Sequence, residues 1–233
     1  VGFPGGTDAT TVNADDDAWG VRVGVPAGPT NLQAPSATLT SITWTWSDLS
    51  DNEDGFRLKD TSNNVKATTG ANVATVVEAS LTENQPVTRR VVSFNADGES
   101  LPSADKAAHA AIHGATTSDF SLVVVTNTRI DVKVTPPPNS TSGQTGVQIE
   151  RSLNQGGSWS TVQNFAANYT FQNTGLTANT RYDYRITFRN GDGVASLVSG
   201  SRAGQTTRNV TLFYGEGIGV LTARHLTATF RDP

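Results

Sequence analysis

Residues 181–189 alternate without interruption. Tyr182, Tyr184, Ile186 and Phe188 fall on one side, and Arg181, Asp183, Arg185, Thr187 and Arg189 on the other. A period of two over that length predicts a half-buried antiparallel strand. The same alternation predicts strands at 19–25, 41–46, 128–134 and 147–151, with shorter runs at 87–92, 122–125 and 159–162. It recurs near the end, at 210–214 and 220–230. No stretch sustains apolar residues at helical spacing, and Thr, Ser, Val, Asn and Gly are abundant, so the expected class is all-β. Turn chemistry separates the runs: the Asp-rich 48–55, Asn95-Ala96-Asp97-Gly98, Pro136-Pro137-Pro138 and Asn190-Gly191-Asp192-Gly193.

These runs fall into a repeat of about 90 residues, the size of one sandwich domain. Leu176 precedes Tyr182 by six residues across an Asn-Thr turn, and Leu81 leads in the same way into 87–92. The first spacing resembles the tyrosine corner of immunoglobulin-like sandwiches, in which the hydroxyl bonds to backbone just upstream. Trp46, the acidic turn, Glu53-Asp54-Gly55-Phe56 and Asn95-x-x-Gly98-x-Ser100 together resemble the fibronectin type III pattern of bacterial extracellular proteins. The resemblance implies two tandem type III-like β-sandwiches, at 27–108 and 118–207, with a linker at 109–117. Strand-forming arms at 1–26 and 208–233 lie outside them. It gives Trp46, Leu81, Leu176 and Tyr182 structural roles. Two features depart from it. Val87 stands where the corner Tyr is expected, and Arg89 has inward parity, which predicts either a side chain stretched to the rim or a register slip.

Composition narrows the function. The chain of 233 residues has a formal charge of −4 and only 17 Lys plus Arg, which argues against general nucleic-acid binding. With no cysteine, disulfides, thiolate metal sites and thiol nucleophiles are excluded. No apolar run approaches the roughly 20 residues of a membrane span. Beginning at Val1 and lacking Met, the sequence is expected to be a processed product or a piece of a longer one.

Candidate chemistry is sparse. His109 and His113 lie in the linker four apart, without a third ligand nearby, and are expected to be exposed. No nucleophile elbow, phosphate loop or metalloprotease motif occurs, so neither an enzyme nor a cofactor is expected. Asp48, Asp51, Glu53 and Asp54 are a weak candidate cation loop and more simply a solvated turn. Arg181, Arg185 and Arg189 could form an anion stripe or pair across strands with Glu150 and Asp183. Trp159 is expected to cover an edge, and Asn139, Asn168 and Asn209 match the glycosylation pattern.

The expectation for function starts from the arms, whose strand sequences can augment the edges of a neighbouring sheet. Trp19, Val21, Val23, Leu212, Tyr214, Leu226 and Phe230 are the expected docking residues of a homopolymer, a filament, sheath or surface layer outside the cell. Two alternatives follow from the resemblance: accessory modules that space or weakly bind carbohydrate in a larger secreted polysaccharide hydrolase, and an adhesin or phage-surface module that binds a protein receptor.

Overall fold

The computed structural model describes residues 24–208. The expected docking residues Trp19, Val21, Val23, Leu212, Tyr214, Leu226 and Phe230, and with them nearly all of both arms, lie outside the described residues. The described chain is all-β, with a single 3₁₀ turn at Thr117–Asp119.

In the first sandwich, β1 (Thr30–Ala37), β2 (Ile42–Ser47) and β5 (Thr75–Glu78) form one sheet in the order β1-β2-β5. The other sheet holds β3 (Gly55–Asp60), β4 (Val65–Gly70) and β6 (Pro86–Asn95), with β7 (Gly98–Glu99) and β8 (Lys106–His109) both on β6. All pairings are antiparallel. The predicted alternation of β2 is met: Ile42, Trp44 and Trp46 point inward and pack with Phe56, Leu58, Leu81, Val87 and Val91.

The second sandwich repeats the plan. β9 (Phe120–Thr126), β10 (Arg129–Val134) and β13 (Thr170–Asn173) form the sheet β13-β10-β9. β11 (Gly146–Ser152), β12 (Ser160–Ala166), β14 (Arg181–Arg189) and β15 (Arg202–Gln205) form β12-β11-β14-β15. Its core gathers Phe120, Ile130, Val132, Val147, Ile149, Leu176, Tyr182, Tyr184, Ile186 and Phe188. Three strands facing four or five, twice over, is the tandem type III-like organisation that the sequence resembles.

The tyrosine corner is present in the second sandwich, where the Thr177 N–H donates to the Tyr182 hydroxyl at 2.8 Å. The first sandwich solves the same problem differently. Val87 simply fills the core, and Gln85 Oε1 accepts the equivalent N–H, that of Thr82, at 2.7 Å.

Arg89 neither reaches the rim nor forces a slip, which corrects the expectation from parity. It stays inward at 7% exposure because Glu78, itself 4% exposed, meets it with both carboxylate oxygens. The Glu78 carboxylate also accepts from Trp44 Nε1 at 3.0 Å. The register explains why a partner is available. Ile42 faces Glu78 in the first domain as Ile130 faces Asn173 in the second. At the second site Asn173 donates to the Tyr184 hydroxyl at 2.7 Å. One pair of positions therefore holds an ion pair in one domain and a neutral hydrogen bond in the other. Burial pushes the Tyr184 phenol up to about 12, so it remains a neutral hydroxyl.

Candidate functional site

The most constructed polar site lies where the two sandwiches meet. Asn84, in the turn between β5 and β6, is fully buried, with a φ of 52° that Asn tolerates better than most residues. Its Nδ2 donates to Thr145 Oγ1 at 2.9 Å and to the Asn139 carbonyl at 3.1 Å, and its Oδ1 accepts the Gly191 N–H at 2.9 Å. Its own N–H donates to the Ala111 carbonyl. A side chain of the first domain is thereby fully satisfied by two loops of the second. Withdrawing it would leave several buried polar groups without partners.

Both linker histidines, His109 and His113, reinforce this joint, and neither is a loose residue. His109 closes β8, its side chain is only 11% exposed, and Nδ1 lies 2.7 Å from Asp192 Oδ1. Its backbone N–H donates to the other oxygen of Asp192 at 2.7 Å. His113 Nδ1 bonds Glu83, and its ring meets Phe188 edge-on at 5.2 Å. The side chain of Asn139, one of the glycosylation-pattern residues, donates to the Glu83 carbonyl at 2.8 Å and is thus part of the joint. Gly191 is needed for space, since a Cβ there would fall 2.2 Å from the His109 ring. A cleft of about 290 Å³ beside the joint is lined by Ala34, Ala37, Ile42, Ala108, Ala111, His109 and Asp192. His109 Nδ1 is held by Asp192, while His109 Nε2 is buried without a hydrogen-bond partner, so this pair packs the joint.

The acidic loop does not converge. Glu53 is 1% exposed and turns inward, with Oε1 accepting the Asn72 N–H at 2.8 Å. Asp48 instead accepts the Ser50 N–H at 3.0 Å. Among the described residues no three His, Asp or Glu side chains are placed to hold a metal ion. Of the candidate cation loop Asp48, Asp51, Glu53 and Asp54, Asp48 and Glu53 thus accept from different backbone groups, and Glu53 is a buried carboxylate where a solvated turn is the simpler expectation. Glu53 Oε2 and Trp46 Nε1 are both buried without a partner, and Trp46 tilts over Phe56 at 5.4 Å.

The arginine stripe is engaged internally. Arg185 binds Glu150 at 2.7 Å and lies 4.4 Å from the Trp159 ring. Arg189 lies 4.8 Å from the Phe165 ring, and Arg181 pairs with Asp183 at 2.8 Å. Sequence alone suggested Glu150 and Asp183 as partners. It did not suggest Phe165, Glu78, Asn84 or Asp192, whose roles arise from contacts distant along the chain.

The ends of the pair are arranged in opposition. Gly24 sits against the loop between β2 and β3 and the turn between β6 and β7: its carbonyl accepts from Asn52 Nδ2 and Asn95 Nδ2, and its N–H donates to Asp97. Arg208 sits against the turn between β13 and β14, where Nε donates to Asn179 at 3.2 Å. The joint uses the opposite end of each domain, so the described chain enters at one pole of the pair and leaves at the other.

No family model and no curated relative matches this chain. Among solved structures it is similar to a two-domain fibronectin type III segment of chicken tenascin, at 16% identity over 76% of this chain and 97% of that one, with a TM-score of 0.44. It is also similar to the FN1–FN3 domains of chicken contactin, at 19% identity over 81% of this chain and 71% of that one, with a TM-score of 0.35. The strand order defines the class independently of these superpositions: a tandem pair of fibronectin type III-like sandwiches. Among the described residues no helix is long and apolar enough to cross a membrane.

Proposed function

We propose that this is a non-enzymatic structural protein of the cell exterior that assembles head to tail with copies of itself into a filament, sheath or surface layer. The observation that carries this reading is that Gly24 and Arg208, the first and last described residues, sit at opposite poles of a pair whose joint is interlocked through Asn84. A stiff unit with strand-forming sequence at each end transmits a heterologous contact along one direction, and such contacts give open polymers unless they close into a ring. The sheets supply acceptors, because β1 and β5 in the first domain and β9 and β13 in the second are terminal strands. The terminal runs at 210–214 and 220–230 are long enough to pair along such an edge.

The test is electron microscopy and light scattering of the full chain beside variants that lack residues 1–23 or 209–233. Polymers are expected from the full chain only. A full chain that stays monomeric at high concentration, or truncated chains that polymerise equally well, would overturn the reading.

A further inference from the structure

The joint inside the chain has a counterpart, in two halves, at the outer poles of the described pair. Leu81-Thr82-Glu83-Asn84 aligns with Leu176-Thr177-Ala178-Asn179, and both asparagines adopt left-handed backbone, with φ of 52° and 51°. The Asn84 N–H donates to the Ala111 carbonyl and the Asn179 N–H to the Thr207 carbonyl, each at 3.1 Å. Asn84 is fully buried in the second domain, whereas Asn179 is exposed.

The receiving half repeats as well. Asn190-Gly191-Asp192-Gly193 aligns with Asn95-Ala96-Asp97-Gly98. In both turns the first Asn side chain accepts the Asp N–H, at 3.1 Å and 2.9 Å. Both turns also hold the incoming chain alike. Asn190 donates to the Ala110 carbonyl and Asp192 accepts the His109 N–H, as Asn95 donates to the Gly24 carbonyl and Asp97 accepts the Gly24 N–H. In the second domain this turn receives Asn84. In the first domain Ala96 and Asp97 are exposed.

We propose that the Asn179 turn of one copy docks on the 95–98 turn of the next, repeating between chains the coupling that Asn84 makes within one. This deepens the head-to-tail reading and rests on it. The partner is therefore a second copy of this chain, and the repeat along the polymer is set by a single type of joint. Two substitutions adapt the outer poles to one another. Gln205 stands where His109 stands, since Gln205 pairs with Arg181 as His109 pairs with Pro86. A flexible amide in place of a ring tolerates the Ala96 methyl that Gly191 must lack. The loop between β2 and β3 carries Asp48, Asp51 and Asp54 on the same pole as Asp97, while the opposite pole carries Arg208, so the two ends attract. The internal joint instead uses Glu83 with His113 and His109 with Asp192.

Because the chain contains no cysteine, cross-linking can report this contact cleanly. The double variant Ala178→Cys/Ala96→Cys, which keeps the Asn179 amide and is made in the full chain and oxidised, is expected to give a ladder of trimers and longer species on a non-reducing gel. Either single variant stops at dimers. A control pair, Asn63→Cys with Ala178→Cys, places an exposed thiol in the turn between β3 and β4, away from the 95–98 turn. Its ladder is expected to be weaker by about tenfold, the ratio given by roughly 1.4 kcal/mol of preference. Raised salt should weaken the ladder of the first pair. Equal ladders from both pairs, or none from the first, would overturn the proposal. Micrographs of the same samples separate it from the broader reading: polymers without a ladder leave assembly by the terminal segments standing and remove the pole contact, and absence of both removes both.

Discussion

Replacing Glu78 by Gln tests the buried network of the first domain most sharply. Glu78 faces Arg89 through both oxygens and accepts the Trp44 indole N–H, and both charged residues are less than 10% exposed. The amide keeps one acceptor oxygen but turns two N–H donors toward a guanidinium that has only donors. Arg89 is then a buried charge without a counter-charge, a situation that costs about 3–5 kcal/mol. The double change Glu78→Leu/Arg89→Met removes both charges and takes a partner only from Trp44 Nε1 and the part-buried Thr88 carbonyl. It should cost less than the single change, about 1–3 kcal/mol. Urea unfolding followed by tryptophan fluorescence reads the effect, because Trp44 and Trp46 both lie in the core of the first sandwich. The second sandwich, which carries Asn173 and Tyr184 at these positions, is an internal control. If Glu78→Gln lost less than about 1 kcal/mol, within the range of an exposed pair, the claim that these charges are mutually required would be wrong.

Other predictions follow from the remaining pairings. Tyr182→Phe should cost the second domain about 1–2 kcal/mol by stranding the part-buried Thr177 N–H, measured by the midpoint of its urea transition, while Gln85→Ala should cost the first domain less, about 0.5 kcal/mol, because water reaches the exposed Thr82 N–H. Asn84→Ala should leave both sandwiches folded but loosen their angle, visible as a broader distance distribution in small-angle X-ray scattering; an unchanged profile would show that the linker alone fixes the pair. Lys59, with Arg57 beside it, holds the Glu99 carboxyl below the ordinary carboxylate range. A depressed folded pKa contributes stability that is present above the unfolded value and is lost as pH falls through the folded one. Stability of the first domain should thus decline on acidification below the ordinary Glu range, with a shallower slope in Glu99→Gln.

The strand plan was legible because its signals are local. β2, β10, β11 and β14 announce themselves by alternation, and the corner spacing from Leu176 to Tyr182 places the turn before β14. The terminal and connecting strands were harder to see. β4 reads Val-Lys-Ala-Thr-Thr-Gly and β15 Arg-Ala-Gly-Gln, too polar or too small to alternate visibly, and each is a strand only because a stronger neighbour pairs with it. The joint was hidden for a related reason. Asn84 looks like an ordinary turn residue, and its partners Thr145 and Gly191 lie far along the chain. Sequence position alone predicts exposed His109 and His113, because a linker is ordinarily solvated. Here the linker backbone is itself bonded on both sides, through Ala111 to Thr38 and through Ala115 to Leu197. The one available cue was the repetition of Leu-Thr-x-Asn and Asn-x-Asp-Gly in both halves, which marks equivalent turns without showing that they meet.

Sedimentation velocity of the full chain over a range of concentrations bears most directly on whether these sandwiches are units of a polymer. Head-to-tail growth predicts a sedimentation coefficient that rises continuously with concentration and falls back to one two-domain species when residues 1–23 or 209–233 are removed. A single, concentration-independent monomer peak from the full chain would contradict it.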